Sequence, residues 1–224
     1  MFFQLLFIHP ISAIAWFLAS IFSFTIHEFG HAFATHLLGD ETAEREGRLT
    51  LNPLSHVDPI GLLMLLMAGF GWAKPVPFTP SNLKHPRLDS MLIGLAGPFA
   101  NVILAAIAAI IFRFMGLQLS GDFFSTFLFV LVVINLLLVV FNAIPIPPLD
   151  GSKLLFAVIG GAKKADLRAY IALRGPQILL LIVAVSLLTK WNPFGFISST
   201  AFYLCDIATR IGCSSVLNTL ITGA

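Results

Sequence analysis

The chain has 224 residues, of which 58% are apolar and 11% charged, and its mean hydropathy is +0.94. These values exclude an ordinary soluble domain and predict an all-α polytopic membrane protein with about four to five transmembrane segments. The formal net charge is only +2, and the basic residues are too scattered to suggest nucleic acid as a partner. We expect one membrane-embedded domain, residues 1–224, with the lipid bilayer as its surroundings.

The first predicted span runs from Ile11 to Gly39, which is long enough to cross the bilayer core. No basic residue precedes the apolar run at residues 1–8, and no small-residue cleavage site lies ahead of His27. These features argue against a removable signal peptide. We therefore expect the first span to be retained.

The second half of this span contains His27-Glu28-Phe29-Gly30-His31. Residues four apart lie one above the other on a helix, so His27 and His31 can bind one ion with Glu28 beside them. In this H-E-x-x-H arrangement two imidazoles hold zinc and the carboxylate takes a proton from the attacking water. Because ionisable groups at membrane depth are costly, this interpretation is favoured over a packing or capping role.

Residues 41–90 carry charges and repeated prolines, so they cannot form one regular helix. Within them Ile60–Trp72 is apolar but too short to span, and we predict a re-entrant or interfacial piece. Arg48–Leu51 alternates as a short strand does, and Pro75–Phe78 is a second candidate. A hairpin of the two would offer an edge to an extended peptide.

The second predicted span is Met91–Met115, and a short connection at 116–122 predicts that the third, Phe123–Ile144, packs antiparallel to it. Small residues at the start of the second span allow close helix approach in lipid. Asn101 interrupts this span. We favour a packing amide bonded to a neighbouring helix; the alternative is that Asn101 helps hold a ligand residue.

The third span ends in Asn142-Ala-Ile-Pro145-Ile-Pro147-Pro148-Leu149-Asp150-Gly151. The prolines break the helix and leave an amide and a carboxylate at the membrane boundary. Gly175–Trp191 is a fourth apolar segment, short for a span.

The C-terminal region, residues 173–222, is predicted to contain this fourth segment and an amphipathic helix. Apolar residues recur on one helical face from Ile197 to Ile211, and Asp206 and Arg210 are spaced for an i,i+4 ion pair. The helix lies at the interface, or else it is a fifth span. Cys205 and Cys213 form no C-x-x-C pattern and are interpreted as small apolar side chains.

The basic residues are unevenly distributed, with none before Arg45, five from Arg45 to Arg87 and five from Lys153 to Arg174. The positive-inside rule places these two loops in the cytoplasm. His27 and Asp150 then lie at similar depth. We expect an active site towards the cytoplasmic side of a prokaryotic cell membrane.

Catalytic zinc has three protein ligands and an open position, so a third ligand is needed. Asp150 fits because the broken backbone around it lets a carboxylate turn inward. Asp40 and Asp58 are rivals, although each has an ordinary explanation as a loop carboxylate or a helix cap. His36 is a weaker rival because it lies off the ligand face. Asn142 is a candidate donor that steadies the oxyanion or positions the substrate backbone, or else a helix C-cap.

These motifs together resemble the site-2 protease family of intramembrane zinc metalloproteases. The resemblance is carried by His27–His31, Gly94–Asn101 and Asn142–Gly151, and further by the loop segments 52–61 and 74–77. It implies a three-helix catalytic core, here residues 11–153, and cleavage of transmembrane segments of other proteins.

The resemblance also implies one zinc ion per chain, with His27, His31 and Asp150 as ligands and Glu28 as general base. The short connection at 116–122 leaves no room for an inserted PDZ domain, and we expect no nucleotide-sensing domain. Two roles are possible for His56: a second electrophile near the site, or a structural hydrogen bond within the loop.

Two other functions compete with proteolysis. A membrane metal-ion transporter would also place His and Asp in membrane helices, but it would need coordinating side chains on several spans and often shows internal repeats. An inactive metal-bound adaptor is opposed by the intact set of Glu28 and the three candidate ligands. The substrate and the oligomeric state are not predictable from this sequence.

Overall fold

The structure is a computed structural model that describes residues 2–69, 71–116, 122–159, 161, 164–189 and 191–222. Within these residues the regular structure is helical, so the all-α prediction is confirmed. The helices are α1 (Phe2–Ile8), α2 (Pro10–Leu37), α3 (Thr42–Arg45), α4 (Pro59–Ala68), α5 (Pro86–Phe114), α6 (Phe123–Asn142), α7 (Gly151–Val158), α8 (Ala165–Leu188), α9 (Gly195–Thr209) and α10 (Cys213–Thr222). Short 3₁₀ turns lie at Pro53–Ser55 and Pro80–Asn82.

Four of the described helices are long and apolar enough to cross a membrane, namely α2, α5, α6 and α8. The first three match the predicted spans. The fourth begins earlier than predicted, at Ala165, and Pro176 lies inside it instead of at its start. The chain is therefore an all-α polytopic membrane protein.

Helices α2, α5 and α6 pack against one another and form the core of the bundle. Gly30 allows α2 and α5 to approach closely, because a Cβ at this position would lie 2.7 Å from the carbonyl oxygen of Ala96. Helix α9 packs across α5 and α6, α7 packs on α5, and little of α8 is buried. The apolar periodicity thus builds a three-helix core to which the remaining helices attach.

The predicted β-hairpin between α2 and α5 does not form. Residues 48–51 and 75–78 contain no strand, and the pairing found in the described part of this region is one isolated bridge between Val57 and Ala73. Pro75 and Pro77 have no N–H group to donate to a ladder. The two segments are joined instead by the side chain of Arg48, as described below.

The short apolar piece predicted at Ile60–Trp72 is the helix α4, Pro59–Ala68. Asp58 caps it, since its Oδ1 accepts a hydrogen bond of 2.8 Å from the N–H of Gly61. This cap explains the carboxylate of Asp58 without a metal.

The C-terminal region corrects two predictions. Cys205 and Cys213 form a disulfide, with their Cα atoms 6.1 Å apart. On one continuous helix, residues eight apart would be about 12 Å apart along the axis. They meet because α9 ends at Thr209 and Arg210 takes a left-handed conformation, with φ of 62°, which turns the chain back.

The ion pair expected between Asp206 and Arg210 is also absent from the described contacts. The Oδ1 atom of Asp206 instead accepts a hydrogen bond of 2.7 Å from the N–H of Cys213. Because α9 stops before Arg210, the i,i+4 geometry that would bring the two side chains together is lost.

Replacing both cysteines by serine should lower the free energy of unfolding by about 2 to 3 kcal/mol, because the disulfide constrains the unfolded chain. Thermal unfolding in detergent, with and without a reductant, measures this change. The double variant is the control, since its midpoint should not respond to the reductant. An equal midpoint for wild type and double variant would contradict the prediction.

Candidate metal centre

Two histidines on α2 and an aspartate after α6 meet inside the bundle. His27 and His31 are one turn apart and are 7% and 5% exposed. Asp150 follows the proline-rich turn that ends α6 and directly precedes α7. Its Oδ2 atom lies 3.1 Å from Nε2 of His27 and 3.2 Å from Nε2 of His31, and the two Nε2 atoms are 3.1 Å apart. Residues more than a hundred positions apart thus form one cluster.

The far side of the His31 ring fixes its tautomer. Its Nδ1 atom lies 2.7 Å from the backbone oxygen of Ile93 on α5. A carbonyl oxygen only accepts, so Nδ1 carries the hydrogen, and in the neutral ring Nε2 presents its lone pair.

A chain of buried amides fixes the tautomer of His27 in the same way. Asn135 on α6 donates from Nδ2 to the backbone oxygen of Leu131, at 2.7 Å, and to the Ser23 hydroxyl, at 2.8 Å. Its Oδ1 atom therefore accepts from Nδ2 of Asn101, at 2.8 Å. Oδ1 of Asn101 is left to accept from Nδ1 of His27, at 2.9 Å. The backbone carbonyl of Leu131 thus sets the direction of this series of hydrogen bonds, and in the neutral ring Nε2 of His27 also presents a lone pair.

With both rings neutral, as metal ligands must be, three acceptor atoms therefore converge with no hydrogen to share among them. Their mutual repulsion is relieved when a cation lies between them. Two imidazole nitrogens and one carboxylate oxygen form a zinc-type donor set, and tetrahedral bonds of about 2.0–2.1 Å would hold such atoms roughly 3.3 Å apart. The observed separations of 3.1 to 3.2 Å fit this arrangement.

Asn101 therefore does more than the packing role favoured for it from the sequence. It bonds both to the neighbouring α6 and to the His27 ring. A side-chain amide has separate donor and acceptor ends, so Asn101 can bond to a neighbouring helix and to a ligand residue at the same time.

Gly97 on α5 leaves the space that the two imidazole rings occupy. A Cβ built there would lie 2.9 Å from Cε1 of His27 and even closer to Nε2 and Cε1 of His31. Any larger residue would therefore displace the rings at the atoms that point into the site. This explains the small residue at this position of the Gly94–Asn101 motif.

The second oxygen of Asp150 is held by a lysine on α7. Nζ of Lys153 lies 2.8 Å from Oδ1 of Asp150, three residues earlier in the chain. Lys153 also lies over the ring of Phe78, 5.8 Å from its centroid. With Oδ1 engaged in this ion pair, Asp150 presents Oδ2 to the histidines.

Glu28 is buried beside the cluster, at 8% exposure. Its Oε2 atom accepts a hydrogen bond of 3.1 Å from the backbone N–H of Val76. Val76 belongs to the irregular segment that precedes α5, so the loop between α2 and α5 reaches the H-E-x-x-H motif.

The rival ligands lie elsewhere. His36 pairs with Glu44, its Nδ1 2.7 Å from a carboxylate oxygen, and both side chains are largely exposed. Asp40 is fully buried and accepts hydrogen bonds from Thr42, Thr79 and Asn82. Burial by itself raises the pKa of Asp40, but these hydrogen bonds outweigh it and hold the pKa below its usual range.

Two further predicted residues have local partners. Asn142 is the last residue of α6, and its Nδ2 atom donates to the backbone oxygen of Leu138, at 3.1 Å. His56 is 2% exposed, and its Nε2 atom bonds to the backbone oxygen of Thr50, at 2.8 Å. The structural role left open for His56 therefore has a partner in the structure.

Asn135 and Lys153 are two residues of the site that the sequence motifs do not predict. Asn135 had a usable signal, because a lone amide in the middle of a span with mean hydropathy 2.8 is costly unless it is bonded. Lys153 had a weaker signal, its i,i+3 spacing from Asp150, which counts only once both are known to share a helical turn.

Comparisons with known proteins find metalloproteases among the proteins similar to this chain. A family model described as Peptidase family M50 matches residues 118–183, which include Asn142 and Asp150. "Putative zinc metalloprotease YwhC" of Bacillus subtilis is 43% identical over 141 residues, covering 60% of this chain and 64% of the relative. "Putative zinc metalloprotease Rip2" of Mycolicibacterium smegmatis is 35% identical over 153 residues, covering 64% and 58%.

A third relative, "Zinc metalloprotease MJ0392" of Methanocaldococcus jannaschii, is 30% identical over 110 residues, covering 47% of this chain and 31% of the relative. The chain thus spans less than two thirds of the length of each of these relatives. No solved structure matches.

Replacing Gly97 by alanine should weaken zinc binding about tenfold or more, because the added methyl group enters the space of the imidazole rings. Zinc affinity is measured by competition with a chelating dye in detergent. Ala106→Val is a matched control, since it adds bulk to an exposed position of the same helix. Equal affinities for Gly97→Ala and wild type would contradict the prediction.

Replacing Asn135 by leucine should weaken zinc binding by about 10- to 100-fold, because the amide of Asn101 is then free to turn and the His27 tautomer is no longer fixed. The same competition assay measures this change. Ser23→Ala is the control. It removes one acceptor of Asn135 but leaves the carbonyl of Leu131, so its effect should be much smaller. An equal loss of zinc affinity in both variants would show that the direction of this series of hydrogen bonds does not matter.

Proposed function

We propose that the chain is an intramembrane zinc metalloendopeptidase of peptidase family M50, the site-2 protease family, which its family-model match and its metalloprotease relatives support. The observation that carries the proposal is the convergence of two Nε2 atoms and one carboxylate oxygen inside a membrane bundle, with Glu28 buried beside them. His27, His31 and Asp150 are the proposed ligands of one zinc ion.

Zinc bound there would make a water more acidic and would polarise the carbonyl of the scissile peptide bond. Asn101 and Ile93 hold the two rings so that their Nε2 atoms face the ion. Lys153 holds one oxygen of Asp150 and leaves the other for coordination.

Glu28 is the proposed general base, which takes a proton from the attacking water and delivers it to the leaving amine. Asn142 is the proposed donor to the developing oxyanion or to the substrate backbone. Its amide bonds to Leu138 here, so it would have to turn from that carbonyl to act.

The proposed substrates are transmembrane segments of other proteins. A helix in lipid has its peptide bonds closed by internal hydrogen bonds, so a substrate segment must unwind locally to expose a carbonyl to the site. The segments 46–58 and 71–85 contact α2 and α5, and Val76 bonds to Glu28, so their largely irregular backbone is where water would accompany such a segment.

A transporter is less well supported. Among the described residues, the metal-ligating groups that gather are these three, and they form one site rather than a series along a path. Hydrolysis needs a base beside the metal, and Glu28 fills that place. An inactive metal-bound adaptor would differ from the proposed enzyme only in its lack of proteolytic activity, which a cleavage assay measures.

Purified protein loaded with zinc should cleave single-span test substrates in detergent, and Glu28→Ala should reduce the rate by about a thousandfold or more, since proton transfer alone contributes 10²–10⁴-fold. Cleavage is followed by mass spectrometry. Glu44→Ala, an exposed glutamate away from the site, is the control.

Asp150→Ala should in addition lose zinc, whereas Glu28→Ala should keep it. Equal cleavage by Glu28→Ala and wild type would rule out the mechanism. Metal flux in vesicles without cleavage of any substrate would favour the transporter.

We also propose that the metal end of the bundle faces the cytoplasm. The basic residues 45–87 and 153–174 flank that end. The disulfide supports the same orientation, because Cys205 and Cys213 pack with Ala105–Phe112, the half of α5 farther from Gly97. Disulfides persist on the oxidising side of a bacterial membrane.

A membrane-impermeant maleimide added to intact cells should label Met115→Cys and leave Glu46→Cys unlabelled. Both positions are exposed: Met115 directly follows α5, and Glu46 directly follows α3, in the loop after α2. The variants are made in the Cys205→Ser, Cys213→Ser background, and labelling after cell lysis is the control for reactivity. The reverse pattern would invert the proposed orientation.

A further inference from the structure

The backbone of Val76 contacts the side chain proposed as the general base. Its N–H group donates to Oε2 of Glu28 over 3.1 Å. Both neighbours of Val76 are prolines, which have no N–H group, so in Pro75-Val76-Pro77 only Val76 can donate from its backbone. The sequence thus leaves a single donor at the point where the segment passes Glu28.

The segment that carries Val76, residues 74–79, is held from one side by Arg48. This arginine is 3% exposed, and its guanidinium donates through Nη1 to the backbone oxygen of Pro75, at 3.0 Å, and through Nη2 to that of Lys74. The guanidinium fork therefore binds the two carbonyls that immediately precede the Val76 amide.

Backbone N–H groups at both ends of the same segment also donate hydrogen bonds. The N–H of Lys74 donates to the oxygen of His56, at 2.8 Å, and the N–H of Thr79 donates to Oδ2 of Asp40, at 2.6 Å. Asp40 is the fully buried carboxylate that also binds Thr42 and Asn82. These anchors come from outside the segment, so its position next to Glu28 does not depend on a strand pairing.

We propose that the Val76 amide is a positioning group for Glu28, and that Arg48 is a positioning residue that acts through it. The proposal rests on the proposed function, because it assigns Glu28 the role of base. With Oε2 bonded to the Val76 amide, the carboxylate is held in one orientation and Oε1 remains available to receive a proton. Arg48 never touches the metal cluster in this arrangement.

The test compares two substitutions at one position. Val76→Ala keeps the backbone N–H and should leave kcat within about twofold of wild type. Val76→Pro removes the N–H in a segment already flanked by prolines, and should lower kcat about tenfold or more, with KM and bound zinc unchanged. Zinc content and the detergent size-exclusion profile are measured on the same preparations. A purely structural role would change these two readouts and not kcat alone.

A second pair of variants tests the route through Arg48. Lysine keeps the charge but cannot bind both carbonyls with one fork, so Arg48→Lys should lower kcat by severalfold while zinc is retained. If Arg48 acts through the Val76 amide, the double variant Arg48→Lys, Val76→Pro should have the same kcat as Val76→Pro alone. If Arg48 acted independently of the Val76 amide, the loss of kcat in the double variant would be the product of the losses in the two single variants.

Three results would overturn the proposal: equal kcat for Val76→Pro and Val76→Ala, loss of zinc or of a monodisperse protein in Val76→Pro, or multiplicative effects in the double variant. These results differ from a failure of the proposed function. In that case zinc-loaded wild type would cleave no substrate, and no difference in kcat could arise at any of these positions.

Discussion

The structure depends on the placement of three electron-rich atoms in the low-dielectric interior of a helical bundle. Nε2 of His27, Nε2 of His31 and Oδ2 of Asp150 lie within 3.2 Å of one another, and in the neutral rings the one hydrogen of each imidazole is on Nδ1 and bonded elsewhere. Such an arrangement is unfavourable without a cation, so the surrounding protein has to hold it together. Much of the packing near the cluster serves that purpose.

Each helix of the core contributes one constraint. Helix α2 supplies the two rings at a spacing of one turn, α5 supplies the Ile93 carbonyl and the Asn101 amide, and α6 supplies Asn135, whose direction is set by its own backbone. Fully buried amides are costly when unpaired, and this chain satisfies both ends of each one. These hydrogen bonds offset the cost of burying polar groups in an apolar core, and they also decide which nitrogen of each histidine faces the metal.

The irregular loop between α2 and α5 has a comparable function for Glu28. Prolines prevent residues 75–77 from joining a sheet, and the side chains of Arg48 and Asp40 replace the missing ladder as anchors. A loop fixed in this way can bring one backbone N–H to a buried carboxylate and still remain irregular enough to admit water. The disulfide at the opposite end of the bundle stabilises a region that has no part in the site.

The sequence by itself determined the spans of α2, α5 and α6 and placed His27 and His31 on one face of α2, because apolar runs and i,i+4 spacing are local properties of the chain. Asp150 could also be predicted, because the expected topology places the end of α2 and the end of α6 at a similar depth in the membrane. The tertiary structure alone decided the partners of those residues. Asn101 serves two helices at once, Arg48 binds carbonyls 26 and 27 residues away, and Cys213 returns to Cys205 only because α9 ends at Thr209. Such contacts depend on where side chains from separate segments meet, which hydrophobic periodicity does not encode.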